Sequence, residues 1–277
     1  MIYLVISIFC TSALFWIFRW HSTKGNNQLT LITVNYFVAG LVCSLYTYEN
    51  LEIERLFNNP WTFACIALGL SFVFSFLIIA KSTVETGVSL TAMASKLSLI
   101  LTVLLSFILL DENMSWRQSF ALLLALLAIY ISNKSDANTK HSKLPWLVFL
   151  LSAVVDFLLG YFSKKSGLDS ATISSLIFCA AAISGIIYTL IIRNRIIIID
   201  VLFGVFLGLV NAVSIFTFLQ AFKTEHSSAL LFICFSVGIL LVSTLGSIIL
   251  FKEKISLRKR IGILLSIVSI FLLYNYA

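Results

Sequence analysis

Ten long apolar runs separated by short polar breaks decide what this chain of 277 residues can fold into. They fall at about residues 2–18, 29–47, 61–80, 87–110, 116–132, 145–163, 170–192, 196–222, 227–250 and 261–276. A hydrocarbon core of roughly 30 Å takes about 20 helical residues per crossing, so ten crossings consume nearly the whole sequence. Composition points the same way: 60% of residues are apolar and 11% charged, with a mean hydropathy of +1.04, which would precipitate a soluble domain. The reading is an all-α integral membrane protein with no room for a separate soluble domain. Only two prolines occur, Pro60 and Pro145, each at the start of a run, where a missing N–H costs nothing.

The first run begins at Ile2 without a preceding basic stretch, and Phe18-Arg19-Trp20-His21 offers no small-residue cleavage site, so a retained first helix is expected. Cys10, Cys43, Cys65, Cys179 and Cys234 all lie in apolar runs without metal or redox spacing and read as small core residues. The net charge of +7 comes from lysines and arginines at run ends, where they meet lipid headgroups; no basic face suggests a nucleic-acid partner. Thirteen of these cations fall in the breaks after runs 1, 3, 5, 7 and 9, against five in the other breaks. The positive-inside rule places the first set in the cytoplasm and both termini outside.

Sliding the second half of the chain against the first by 141 positions matches Phe107–Arg117 with Ile248–Arg258. Glu112, Ser115 and Arg117 meet Glu253, Ser256 and Arg258 inside one short polar hairpin, a coincidence harder to produce by chance than apolar matches. The same offset pairs Ser95 with Ser236, Thr102 with Ser243 and Ser106 with Ser247. Each half holds five runs, an odd number, so the second copy enters the membrane from the opposite side. The architecture expected is two inverted five-helix repeats, residues 1–133 and 145–277, joined by a linker at 134–144. Inverted repeats offer two equivalent packings, one open to each face, the physical basis of alternating access.

The hairpin Leu110-Asp111-Glu112 with Ser115, Gln118 and a following apolar helix, repeated as Phe251-Lys252-Glu253 with Ser256, resembles the EamA domain of the drug/metabolite transporter (DMT) superfamily. Two five-span copies are that family's arrangement, and the resemblance covers nearly the whole chain. It implies carriage of small organic metabolites, usually exported. Gly262 stands where the family has a glycine after the serine; its counterpart here is Ala121, and Thr11-Ser12-Ala13 replaces the Trp-Gly pair of the first helix.

Two ionisable side chains fall deep within apolar runs. Lys96 lies about 14 Å along the fourth helix and Asp156 about 17 Å along the sixth, near the bilayer centre. A charge there costs roughly 2.5 to 3.5 kcal/mol on insertion scales, so each must face a partner or a wet cavity. One reading is a cavity between the halves in which Lys96 attracts a carboxylate or phosphate and Asp156 an amine or a proton; the other is a structural ion pair. Asp156 is therefore the proton-coupling candidate, conditional on its distance from Lys96. Neither charge has a symmetry mate, since Val237 answers Lys96, and such asymmetry suits ligand recognition. Ser95, Ser236, Asn211, Asn35 and Tyr36 complete the candidate substrate-binding set, with helix packing as the alternative for each hydroxyl and amide. The hairpins holding Lys81 and Glu85, and Lys223, Glu225 and His226, read as interfacial loops more readily than as gates. Glu112 and Glu253 read as structural, near helices capped by Ser115 and Ser256.

No H-E-x-x-H, G-x-S-x-G or paired-carboxylate motif supports an enzyme, and His21, His141 and His226 all fall in breaks. No phosphate-binding loop supports an ATP-driven pump. No cofactor or metal is expected. What remains is a secondary transporter of a small, amino-acid-like zwitterion in the inner or plasma membrane, surrounded by lipid and acting as a monomer or homodimer. A lipid or lipid-linked-sugar flippase of the same fold and a non-transporting scaffold are the alternatives.

Overall fold

The computed structural model describes residues 2–23, 27–47, 59–110, 116–133, 142–168, 170–192, 196–224, 228–253 and 255–274. Among them run ten α-helices: α1 (Ile2–Ser22), α2 (Gln28–Thr47), α3 (Pro60–Thr86), α4 (Val88–Leu110), α5 (Trp116–Asn133), α6 (Leu144–Lys165), α7 (Ser170–Ile191), α8 (Ile198–Thr224), α9 (Ser228–Phe251) and α10 (Leu257–Tyr274). Lipid offers no partner to backbone amides, so each apolar run satisfies its own by coiling. Both prolines sit in first turns, of α3 and α6. Asn59 caps α3, its Oδ1 accepting from Trp61 N at 3.0 Å while Nδ2 donates to Ser166 O at 2.8 Å. Over the described residues α1, α2, α3, 171–191 and 198–218 are each long and apolar enough to span a membrane.

The helices run further into two of the expected breaks than the sequence suggests. Lys81 and Glu85 belong to the last turns of α3, where they face each other at 3.8 Å as an exposed i,i+4 pair, and Lys223 lies within α8. Polar residues are no obstacle to a helix that has left the hydrocarbon. Gly87, at φ +95°, alone separates α3 from α4. His21 is likewise helical, in the last turn of α1 and fully buried. Glu112, Ser115, Glu225, His141 and His226 lie outside the described residues.

The helix contacts carry the two-fold relation. Replacing each helix by the one five places on turns α2–α8 into α7–α3, α1–α8 into α6–α3 and α4–α6 into α9–α1, all of them packed pairs. α2–α7, α4–α9 and α5–α10 map onto themselves. One core joins α1, α2, α3, α7 and α8 around Phe18, Ile32, Tyr36, Ile177 and Leu207. A second joins α4, α5, α6 and α9 around Leu90, Met93, Leu97, Val148 and Leu240. A seam of Leu4, Ile8, Phe15, Val88, Ala92 and Ile239 ties α1, α4 and α9 together between them.

Close approach inside the first core depends on Gly204 and Gly208, one turn apart on α8. A methyl at Gly204 would stand 2.6 Å from Val34 Cβ, and one at Gly208 would stand 2.7 Å from Asn35 O, so only hydrogen lets α8 lie on α2.

Candidate functional site

The candidate site centres on α4, from the first half, which packs against both α6 and α9 of the second. Helix α4 is central: among its described side chains from Val88 to Leu101 none is exposed. Helix α6 has a lipid stripe at Leu147, Leu150 and Val154, which are 42%, 50% and 47% exposed. At 3.6 residues per turn Asp156 stands about 150° round from the centre of that stripe. It shares the inward side with buried Phe149 and Ala153, yet it is exposed. An accessible carboxylate on the inward face of a helix means space within the bundle rather than contact with acyl chains.

Around that space the polar groups converge. Ser98, fully buried on α4, donates from Oγ to Asp156 Oδ2 at 3.0 Å and also contacts Ser95 O on its own helix. One turn before Asp156, Ser152 Oγ approaches Ser95 Oγ at 3.5 Å. Lys96 is half-buried, its Nζ 5.3 Å from the Phe235 ring centroid of α9, within cation–π range. The Lys96 and Asp156 charges act on each other, but they form no direct ion pair. A cation resting on an aromatic face and a carboxylate held by a serine therefore stand apart with accessible surface at the carboxylate, an arrangement able to receive a solute carrying both charges.

The remaining candidates lie elsewhere. Asn35 and Asn211 are buried at the α2–α8 contact, where Asn211 Nδ2 donates to Asn35 Oδ1 at 3.3 Å. Tyr36 is fully buried, donates from its hydroxyl to Phe72 O at 3.2 Å and packs edge-on to Phe76 with centroids 5.2 Å apart. Both contacts hold helices together in the first core, away from Lys96 and Asp156. Ser236 is buried on α9 beside Phe235.

Sequence reasoning passed over Ser98 and Ser152. Their signal is spacing: Ser152 precedes Asp156 by one turn, which puts its hydroxyl on the face the carboxylate uses, while Ser95 and Ser98, close to Lys96 in the chain, share another face of α4 about one turn apart. It also passed over His21 and Asp200, which meet at 2.7 Å, both fully buried, where the end of α1 touches the start of α8. Phe203 lies edge-on to the imidazole at 5.5 Å.

Residues 1–134, just under half of the chain, match the model of the EamA-like transporter family. The all-helical membrane architecture fits that family. An uncharacterized protein of Haemophilus influenzae is 27% identical over 90% of this chain and 86% of its own length. The multidrug resistance protein EbrB of Bacillus subtilis is 25% identical over 39% of this chain and 92% of its own. A solved crystal structure superposes on 98% of this chain and 93% of its own with a TM-score of 0.63 at 15% identity, a likeness of fold.

Proposed function

We propose that this EamA-like protein is a secondary active transporter that exports a small zwitterionic solute by alternating access. The observation that carries the reading is the pair Lys96 and Asp156: contributed by different repeats, not bonded to each other, with Asp156 accessible on the inward side of α6. The solute's carboxylate sits over Lys96 and Phe235, and its amine sits at Asp156 and Ser98. Asp156 is also the coupling residue, exchanging a proton for the amine. Ser95 and Ser152 line the same space. The thirteen-to-five bias of basic residues puts the breaks after α1, α3, α5, α7 and α9 in the cytoplasm of a cell whose inner or plasma membrane holds the protein. Both repeats are in one chain, residues 1–133 and 145–277, so a monomer suffices.

Export is the direction we take from the resistance role in the name of EbrB, similar over 39% of this chain. The test is counterflow in proteoliposomes against a panel of amino acids and nucleosides, with Lys96→Ala and Asp156→Ala alongside. A solute carried by the native protein and by neither variant supports the reading; a solute carried equally by all three defeats it.

One observation favours a lipid flippase instead. Leu70, Val73, Phe74, Ser184, Ile187, Tyr188 and Ile191 line an apolar groove of about 290 Å³ between α3 and α7, open at the side of the bundle. Movement of a fluorescent lipid in the same vesicles, with every solute excluded, would establish that function in place of solute export.

A further inference from the structure

At the end of the bundle where α3 gives way to α4 and α9 to α10, polar contacts involve five helices: α1, α3, α4, α9 and α10. Lys259 Nζ lies 3.1 Å from Glu253 Oε1 and 3.3 Å from Thr86 O. Arg19 Nη1 donates to Val84 O. Two cations from α10 and α1 thereby cover the last-turn carbonyls of α3, the negative end of its dipole. Ser89 Oγ and Ser247 Oγ, both buried, share a hydrogen bond of 2.9 Å between α4 and α9.

Glu253 also lies against Gly87, between α3 and α4. Gly87, at φ +95°, lies so close to its carboxylate that an added methyl would stand 2.2 Å from Oε1. The Glu253 and Lys259 side chains keep only 15% and 21% of their surface, so water screens this pair less than one on the open surface. Gly87 is nine residues before Lys96, about 14 Å along α4, so these contacts stand across the route to the site from this end.

The other copy differs in sequence at these positions. At the offset that aligns the repeats, Glu253 is matched by Glu112, Lys259 by Gln118, Thr86 by Ser227 and Gly87 by Ser228. The cation and the glycine each occur in one copy only. Inverted repeats make the two closed ends equivalent unless something distinguishes them, and a lysine and a glycine present in one copy only do so.

We infer that Lys259, Glu253 and Gly87 form a one-sided latch that makes closure at the α3–α4 end the resting state of the empty protein. The inference rests on the alternating-access reading. The latch opens when the two halves relate differently, and it re-forms when the solute has left at the other end.

The test is pulsed electron resonance on the full chain in lipid nanodiscs, in a background without native cysteines. Spin labels at Lys81→Cys on α3 and Arg258→Cys on α10 report the separation at this end; both residues are exposed and neither is in the latch. The unlatched protein populates a longer distance about five-fold more than the latched one, the equivalent of a partly screened ion pair. Lys259→Gln, which copies the other repeat, and Glu253→Gln, which keeps the shape of the side chain, both show this rise. Gly87→Ala does the same by displacing the carboxylate. A distance distribution unchanged in all three variants overturns the latch while leaving alternating access standing if a radiolabelled amino-acid mixture still undergoes counterflow. An unchanged distribution together with loss of counterflow in the native protein overturns the reading beneath it.

Discussion

Replacing Asp156 by Asn removes a charge while preserving shape, and its cost measures how wet the site is. The amide keeps a carbonyl oxygen to accept from Ser98, now 3.0 Å from Oδ2, so that hydrogen bond is weakened rather than lost. What disappears is the opposite charge that acts on Lys96. Breaking a sealed buried pair costs about 3 to 5 kcal/mol, whereas exposed pairs contribute about 0 to 1 kcal/mol. With Asp156 exposed and Lys96 half-buried on an aromatic face, the cost falls between, at about 1 to 2 kcal/mol. The coupling in a cycle of Asp156→Asn, Lys96→Met and the double variant is then about 1 kcal/mol. The assay is unfolding in mixed micelles of rising denaturing-detergent fraction, followed by circular dichroism. A coupling of 3 kcal/mol or more would refute the reasoning, because it would mean a dry ion pair with no room for solute.

Three other substitutions probe the frame around that site. Gly208→Leu drives a side chain into Asn35 O and Val38 at the α2–α8 contact and destabilises the fold by about 1 to 3 kcal/mol or more in the same unfolding assay, whereas Ala at lipid-facing Leu209 changes little. Asp200→Ala leaves the buried His21 ring without its partner and costs about 1 to 3 kcal/mol, with greater protease sensitivity at the α1–α8 junction. Ser98→Ala removes the hydroxyl that orients Asp156 and raises the KM for a carried amine-bearing solute about ten-fold, and Ser98→Thr restores it.

The number of helices, their approximate spans and the relation between halves were legible because all three follow from long-range regularities: apolar runs of bilayer length and a polar hairpin that repeats at a fixed offset. Lys96 and Asp156 stand out from the sequence for an equally physical reason, since charges inside apolar runs are costly in lipid. Helix ends were less so. The break at Lys81 to Glu85 contains no helix breaker before Gly87, and α3 simply runs on past the hydrocarbon. Ser98 was hidden by its chemistry, because serines are inexpensive in membrane helices and one that bonds a carboxylate resembles one that bonds its own backbone. His21 and Asp200 were hidden by distance: each lies near the end of an apolar run, where charge is ordinary, and they are 179 positions apart in the chain. The role of Glu253 was only partly visible, for its hairpin position suggested a helix terminus but not the lysine and the glycine it joins.

The most direct measurement is water accessibility along α6. In a cysteine-free background, Ser152→Cys and Leu150→Cys are reconstituted separately in liposomes permeabilised to reagent on both faces and treated with a membrane-impermeant charged maleimide. Labelling at position 152, blocked by a carried solute, with none at lipid-facing 150, is the result the hydrated interior predicts. Labelling at neither position, or at 150 alone, would contradict it.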